Sequence, residues 1–299
     1  MTEQVTQNSH HDLMLALADD AFCRIRDILK THHNFDIGNY KDKCMKRRIA
    51  IRLRANRVAM ASQYCEILES SPREQELLLK VLTIHVSQFW RNPVMYEALR
   101  QKIIPLLLDQ ARGAGRQEIP IMSIGCSTGE EPYSLAIILK EYFGREMKDI
   151  SVKILGVDIS NAVLDAARIA TYGKDRLLEA PQPLVEKYFR REGDRFALEQ
   201  VIRQMVEFRP GDLSDPESYV PSDLILCRNV LIYFERKEQE EVMLRFAQAL
   251  RPGGVLVLGK AETLVGQARH LFHALDPVER IYRRSEAAGV RPYLRLGGR

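Results

Sequence analysis

The stretch Ile119-Pro-Ile-Met-Ser-Ile-Gly125-Cys-Ser-Thr-Gly129-Glu130-Glu131-Pro132-Tyr-Ser134 decides how this chain folds. Its first part, Ile119–Gly125, is a short uncharged apolar run, the length of a buried strand rather than a helix. Thr128–Phe143 then has helical spacing, with Pro132 in the first turn, where a missing N–H costs nothing. Gly125 and Gly129 let the backbone bend sharply between the two and let a ligand approach closely. The spacing is not the dinucleotide pattern GxGxxG, and a pyrophosphate would be repelled by Glu130 and Glu131. A cofactor with a cationic ammonio group and a sulfonium would not be. The same acids also complement the helix dipole, so the motif alone carries both readings.

The strand-helix alternation continues downstream. Val152–Ile159, Leu224–Cys227 and Gly253–Gly259 read as further strands, with helices at Ala162–Ala170 and Lys237–Leu250. Glu279–Arg284 reads as a last, edge strand. Such alternation predicts a doubly wound parallel sheet with helices on both faces. Between Phe189 and Phe208 it lapses, which suggests a small β insertion or a lid. Upstream, from Asp12 to about Ala111, apolar residues such as Phe22, Ile25 and Leu29 recur at helical spacing. Residues 1–11 are polar and expected to be disordered, and Asp109–Glu118 reads as a linker. The expected architecture is α/β: an all-helical N-terminal domain (12–111), then a Rossmann-like domain (117–285) with an insertion at about 189–208.

Four further places carry chemistry. Asp158, in Gly156-Val-Asp158-Ile-Ser160, lies at the end of the second strand, where an acid can take both ribose hydroxyls; Asp158 or Ser160 could equally cap the next helix. In Phe208-Arg-Pro-Gly-Asp212-Leu213, a polar side chain precedes an apolar one, a pair able to hold an adenine. Leu226-Cys-Arg-Asn229-Val230-Leu-Ile-Tyr233-Phe234 is a buried strand ending in a donor and acceptor, with Tyr233 four residues on or simply part of the core. Thr83-Ile-His85-Val-Ser87-Gln-Phe89-Trp90-Arg91 sets the chain's only tryptophan beside an arginine. Arg91 can present one fixed cation to an anionic substrate, or only snorkel from an aromatic anchor.

The net charge of +4 is unevenly spread. Lys41, Lys43, Lys46, Arg47, Arg48, Arg52, Arg54 and Arg57 face one acid, Asp42, so segment 41–57 is +7 and the remainder −3. On a helix over 41–58, Lys43, Arg47, Arg54 and Arg57 form one stripe, with Met45, Ile49 and Leu53 opposite. A stripe nearly free of acids points to an acidic partner surface. It lacks the interleaved aromatics of single-strand nucleic-acid binders. The five cysteines are widely spaced with no CxxC pair, which argues against disulfides or zinc and fits a reducing cytoplasm. No secretory leader and no membrane span is expected, since no basic start precedes an apolar run and no apolar stretch nears 20 residues.

Together these residues resemble the chemotaxis receptor methyltransferase (CheR) family, from about Ala21 to Arg284. The phrases Ser127-Thr-Gly-Glu-Glu-Pro-Tyr-Ser134 and Cys227-Arg-Asn-Val-Leu-Ile-Tyr-Phe234, in that order behind a basic helical domain, carry the resemblance. It implies a class I methyltransferase fold using S-adenosylmethionine, without a metal, and releasing S-adenosylhomocysteine. The implied acceptors are glutamate side chains in the acidic methylation region of chemoreceptors, giving 5-O-methyl esters. Cofactor contacts are implied at His85, Ser87, Arg91, Gly125, Glu131 or Glu130, Asp158, Asp212, Leu213, Asn229 and Val230. A substrate-side role is implied for Arg91 and Tyr233, and receptor docking for Lys43, Arg47, Arg54 and Arg57. The enzyme would be a cytoplasmic monomer that binds no nucleic acid.

The chain departs from the family pattern at His85 and Ser87 (commonly Asn and Thr), Trp90 (Phe) and Asp212 (Asn). Gly259-Lys-Ala-Glu-Thr-Leu264 stands where the family usually has Gly-His-Ser-Glu. Arg190–Gln200 holds one glycine, Gly193, which argues against dependence on a receptor tether. Two other readings stay open: a cofactor-binding adaptor without turnover, and an RNA methyltransferase. The latter usually carries Asp/Asn-Pro-Pro-aromatic where this chain has Arg228-Asn-Val-Leu.

Overall fold

A computed structural model describes residues 19–83 and 87–285. The polar segment 1–11, the residues up to 18 and His85 lie outside the described residues. Two compact units divide the chain: residues up to Ile84 together with Tyr233–Glu235, and the rest from His85 onward.

The first unit is helical: α1 (Asp19–His33), α2 (Asp42–Ala55), α3 (Ala61–Ser70) and α4 (Pro72–Leu82). Each buries one apolar stripe, such as Phe22, Ile25, Ile28 and Leu29 on α1. Ser71 caps α4 by accepting from Glu74 N–H, and Pro72 occupies the first turn. The predicted basic helix is α2. It buries Met45, Ile49 and Leu53 and exposes Lys43, Arg47 and Arg54. Arg57 is exposed but lies beyond the helix end with φ +56°, so it does not share the helical register.

Other basic residues of this segment are used inside the unit. Arg52 forks onto Glu74 at 2.9 and 2.7 Å, and Tyr64 and Asn56 donate to the same carboxylate. Arg48 is buried, donates to the Leu82 carbonyl and stacks 4.8 Å from the Tyr233 ring centroid. The segment Tyr233–Glu235 joins the unit: Lys41 N–H donates to Tyr233 O, and Phe234 bridges to Tyr40 and stacks on its ring at 4.4 Å.

Asp36 closes the turn after α1, accepting from Arg26 at 2.6 and 3.0 Å, Lys30 at 2.9 Å and Gly38 N–H at 2.9 Å. Burial pushes its pKa up, but the donors more than offset this and hold it far below the usual carboxylate range. A carboxylate with a depressed folded pKa stabilises above its unfolded pKa, and that contribution fades as pH falls. Relative to Asp36→Asn, the wild type should therefore lose stability as pH drops below about 4. Denaturant melts of both proteins across that range check this; parallel pH dependence would refute it.

The second unit holds a seven-stranded sheet in the order β6-β2-β1-β7-β8-β10-β9. Its strands are β1 (Glu118–Ile124), β2 (Ser151–Asp158), β6 (Val206–Pro210), β7 (Ser222–Cys227), β8 (Leu250–Leu258), β9 (Phe272–Asp276) and β10 (Ile281–Arg284). β6, β2, β1, β7 and β8 run parallel; β10 is antiparallel to β8, and β9 to β10. Glu279–Arg284 was expected at the edge, but β10 is internal and β9 is outermost. β9 escapes a sequence reading because it is mostly exposed.

Within this unit α5 (Pro93–Ala98) runs through a π-helical turn (Leu99–Ile103) into α6 (Ile104–Gly113). Pro105 cannot donate to the carbonyl four residues back, which accounts for the widened turn. Leu107, Leu108 and Ala111 of α6 share one core with Ile119 and Ile121 of β1. This is why the units divide at residue 84 and not near 111. Helices α7 (Glu130–Tyr142), α8 (Asn161–Ile169) and α11 (Arg236–Ala249) follow β1, β2 and β7. The small sheet β3-β5-β4 (Thr171–Gly173, Arg195–Leu198, Phe189–Glu192) forms the insertion, with the short helices α9 (Gln182–Tyr188) and α10 (Gln200–Arg203). It begins before residue 189 and ends before 208, because Val206–Pro210 is a strand of the main sheet. Among the described residues no helix is long and apolar enough to cross a membrane.

Candidate functional site

Parallel strands release their chains at one end of the sheet, and ligands bind there where the strand order reverses. Here the reversal lies between β1 and β7. Gly125, Asp158, Asp212 and Asn229 lie at or just beyond the carboxyl ends of four adjacent strands, β1, β2, β6 and β7. Neighbouring strands lie about 4.8 Å apart, so these residues form one row.

The β1–α7 turn is tightly drawn. Gly125 and Cys126 both donate to the Val157 carbonyl, at 2.8 and 3.0 Å. Gly125 has φ +73°, and a Cβ there would sit 2.5 Å from Val230 Cγ2. Only glycine lets the loops after β1 and β7 meet so closely. Asp158, 6% exposed, accepts from Ser127 N–H at 2.8 Å and Ser160 N–H at 3.1 Å. It thus ties the β1 turn to the β2 end as well as closing its own loop, and Ser160 makes no side-chain cap.

The two glutamates differ. Glu130 is fully buried; one oxygen accepts from Thr128 Oγ1 at 2.7 Å, and the other has no hydrogen-bond partner. Burial pushes its pKa up. Glu131 keeps 13% of its side chain exposed, accepts from Ser123 Oγ at 2.8 Å and pairs with Arg228 at 3.2 Å. Only Glu131 is therefore reachable from solvent. The Ser127 hydroxyl is buried without a partner.

Ser87 and Arg91 are half-buried on a loop clamped along its length. Arg176 donates to Ser87 O, and Phe89 N–H donates to Arg176 O. Trp90 N–H donates to Ser134 Oγ at 3.1 Å, and Arg228 Nη2 to Arg91 O at 2.7 Å. Asn92 is held by Glu179 at 2.8 Å and Glu279 at 2.5 Å. Trp90 and Asn92 both have positive φ, +54° and +68°, conformations a non-glycine residue adopts only under such constraint.

Asp212 is half-buried and accepts from Ser214 N–H; burial pushes its pKa up. Leu213 is buried beside it. Asn229 and Val230 are half-buried, and their N–H groups donate to Glu262, at 3.0 and 2.8 Å. Burial pushes the Glu262 pKa up, while its backbone donors pull it down. Arg228, Arg176, Glu179 and Glu262 were not assigned roles from sequence. Arg228 and Glu262 were legible as members of quoted phrases; Arg176 and Glu179 carried no signal. Tyr233 and the exposed basic residues of α2 belong to the helical unit.

The family profile described as CheR methyltransferase, SAM binding domain, matches residues 85–279, and the CheR methyltransferase all-alpha domain matches residues 20–83. The chain is 32% identical to the chemotaxis protein methyltransferase of Borreliella burgdorferi over 267 residues, covering 87% of this chain and 94% of that one. It is 34% identical to chemotaxis protein methyltransferase 2 of Pseudomonas aeruginosa over 262 residues, 85% of this chain and 90% of that one. To the chemotaxis protein methyltransferase of Escherichia coli it is 32% identical over 256 residues, 83% and 86% of the two chains.

Proposed function

The chain belongs to the CheR methyltransferase family and is an S-adenosylmethionine-dependent methyltransferase, and on that premise we propose that it esterifies glutamate side chains of chemoreceptors in the cytoplasm. The observation that supports this most is the row of residues at the ends of β6, β2, β1 and β7, flanked by the clamped loop of Arg91.

The residues fit the cofactor. Ser127 Oγ is a buried polar atom without a partner, Glu131 is a reachable acid at a helix start, and Gly125 leaves the turn bare of side chain. Asp158 would take the ribose hydroxyls, Asp212 and Leu213 the adenine, and Glu131 the ammonium. Gly125, Asn229 and Val230 would line the cleft, and Ser87, Arg91 and His85 are assigned to the cofactor by the resemblance to the family. As an acceptor, Asp212 serves an adenine amino group as Asn would. When bound, the cofactor supplies an electrophilic methyl group on a sulfonium.

The protein's own task is positioning. A free Glu has a pKa of about 4.3, so the acceptor is already anionic near neutral pH and no base has to remove a proton. Arg91 is assigned to hold that carboxylate through its planar donors. Tyr233 is assigned to fix its approach, by its place in the phrase Cys227–Phe234. Holding the reacting groups in line can be worth on the order of 7–11 kcal/mol. Each methyl removes one negative charge from the receptor, and that change of charge is the signal.

The deciding experiment follows tritiated methyl from S-adenosylmethionine onto receptor cytoplasmic fragments, then treats the product with mild alkali. Label released as methanol is the expected result. Tight cofactor binding with no label on any receptor would mean an adaptor, and alkali-stable label on RNA would mean a nucleic-acid substrate. Reversing Arg47 and Arg54 to Glu should raise KM for the receptor by roughly tenfold, most strongly at low salt, and leave cofactor affinity unchanged. Calorimetry beside the transfer assay separates the two, and equal loss of both would make the stripe structural.

A further inference from the structure

Three consecutive N–H groups after β7, those of Asn229, Val230 and Leu231, converge on the Glu262 carboxylate at 3.0, 2.8 and 2.8 Å. Gly259 N–H adds a fourth contact at 2.6 Å. Successive backbone donors of this kind form a concavity that binds an anion, and forming it requires a left-handed residue. Asn229 supplies that conformation with φ +61°. Asparagine tolerates it better than most side chains.

Glu262 fills the concavity from the loop after β8 and is only 4% exposed. A Cβ on Gly259 would lie 2.7 Å from Glu262 Oε2 and 2.8 Å from Asn229 N, so the β8 end can approach the β7 loop only as glycine. Glu262 also closes its own turn, donating its N–H to Gly259 O at 2.9 Å. The loop so fixed presses Val230 against Gly125, which carries its position to the β1 turn.

We infer that Glu262 is a positioning residue: its carboxylate holds the Asn229–Leu231 backbone in the one conformation that receives the cofactor, which rests on the cofactor-site reading above. It acts through the loop and touches neither cofactor nor acceptor. An anion is required, because a carboxylate offers only acceptors and all four neighbours are donors. An amide of the same shape presents an NH2 group to some of those N–H groups.

The test uses the full chain. Glu262→Gln should weaken S-adenosylhomocysteine binding by roughly ten- to hundredfold in calorimetry, the scale of leaving buried donors unpaired. Glu262→Ala should speed amide exchange at Asn229, Val230 and Leu231 relative to β1. Added formate should slow that exchange again and restore part of the binding. Glu262→Asp, which keeps the anion, should bind better than Glu262→Gln, and it gives the comparison if Glu262→Ala fails to fold. Wild-type binding by Glu262→Gln, or amide exchange indifferent to both substitution and formate, would overturn the inference. If the amides respond as expected but the wild-type protein binds no S-adenosylhomocysteine, the clamp stands and the cofactor-site reading falls.

Discussion

Replacing Arg91 by alanine is expected to lower kcat/KM for the receptor by about 10²–10³-fold, the usual cost of losing one preorganised charged donor at a reacting group. The loop should survive the change. Its backbone anchors at Phe89, Trp90, Arg91 and Asn92 are all kept by the substitution. The melting temperature should therefore stay close to wild type while turnover falls. The division between kcat and KM is informative. The acceptor's negative charge fades as the ester forms, so a purely ionic clamp binds the ground state at least as well as the transition state. Loss of charge alone would then raise KM, and loss of orientation would lower kcat. Arg91→Lys keeps the charge without the fork, so it should recover KM more than kcat. Tyr233→Phe should cost less. Wild-type turnover by both Arg91→Ala and Tyr233→Phe would end the assignment.

A second large effect is expected in stability. Arg228 has 5% of its side chain exposed; it pairs with Glu131 and donates to the Arg91 carbonyl. Arg228→Met would take from Glu131 its Arg228 partner and leave it the Ser123 hydroxyl. Breaking a buried pair from one side costs about 3–5 kcal/mol, because the remaining charge is uncompensated. The double variant Glu131→Gln/Arg228→Met removes both charges and should regain a large part of the loss. Urea unfolding of the wild type, Arg228→Met, Glu131→Gln and the double variant tests this, and simple additivity would mean that the pair is not coupled. Arg228→Met should also lower kcat/KM, since it frees the Arg91 carbonyl.

Strands β1, β2, β7 and β8 were legible because each carries a run of apolar residues buried on both faces. β6 and β9 were not, because β6 interrupts its run with Glu207 and Arg209 and β9 is largely exposed. The 100° spacing on α2 correctly separated Lys43, Arg47 and Arg54 from Met45, Ile49 and Leu53. It could not tell that Arg48 and Arg52 turn inward. Their partners, Leu82 O and Glu74, lie 34 and 22 residues away and reach them only through tertiary packing. The candidate site divides in the same way. Gly125, Asp158 and Asn229 were singled out because each lies at or just beyond the end of a legible strand, and Asp212 because a polar side chain there precedes the apolar Leu213. Arg228 was passed over because its partners lie 97 and 137 residues away.

The helical unit is discontinuous in the chain, since it completes itself with Tyr233–Glu235. No single cut can excise it. A fragment ending at residue 84 would leave the Tyr40 ring without Phe234 and the Arg48 guanidinium without the Tyr233 face. A fragment beginning at residue 85 would bring Phe234, only 1% exposed in the whole chain, into water. The two halves are thus poor candidates for recombination as independent modules: whatever exchanges the basic helix between relatives has to carry three distant residues with it.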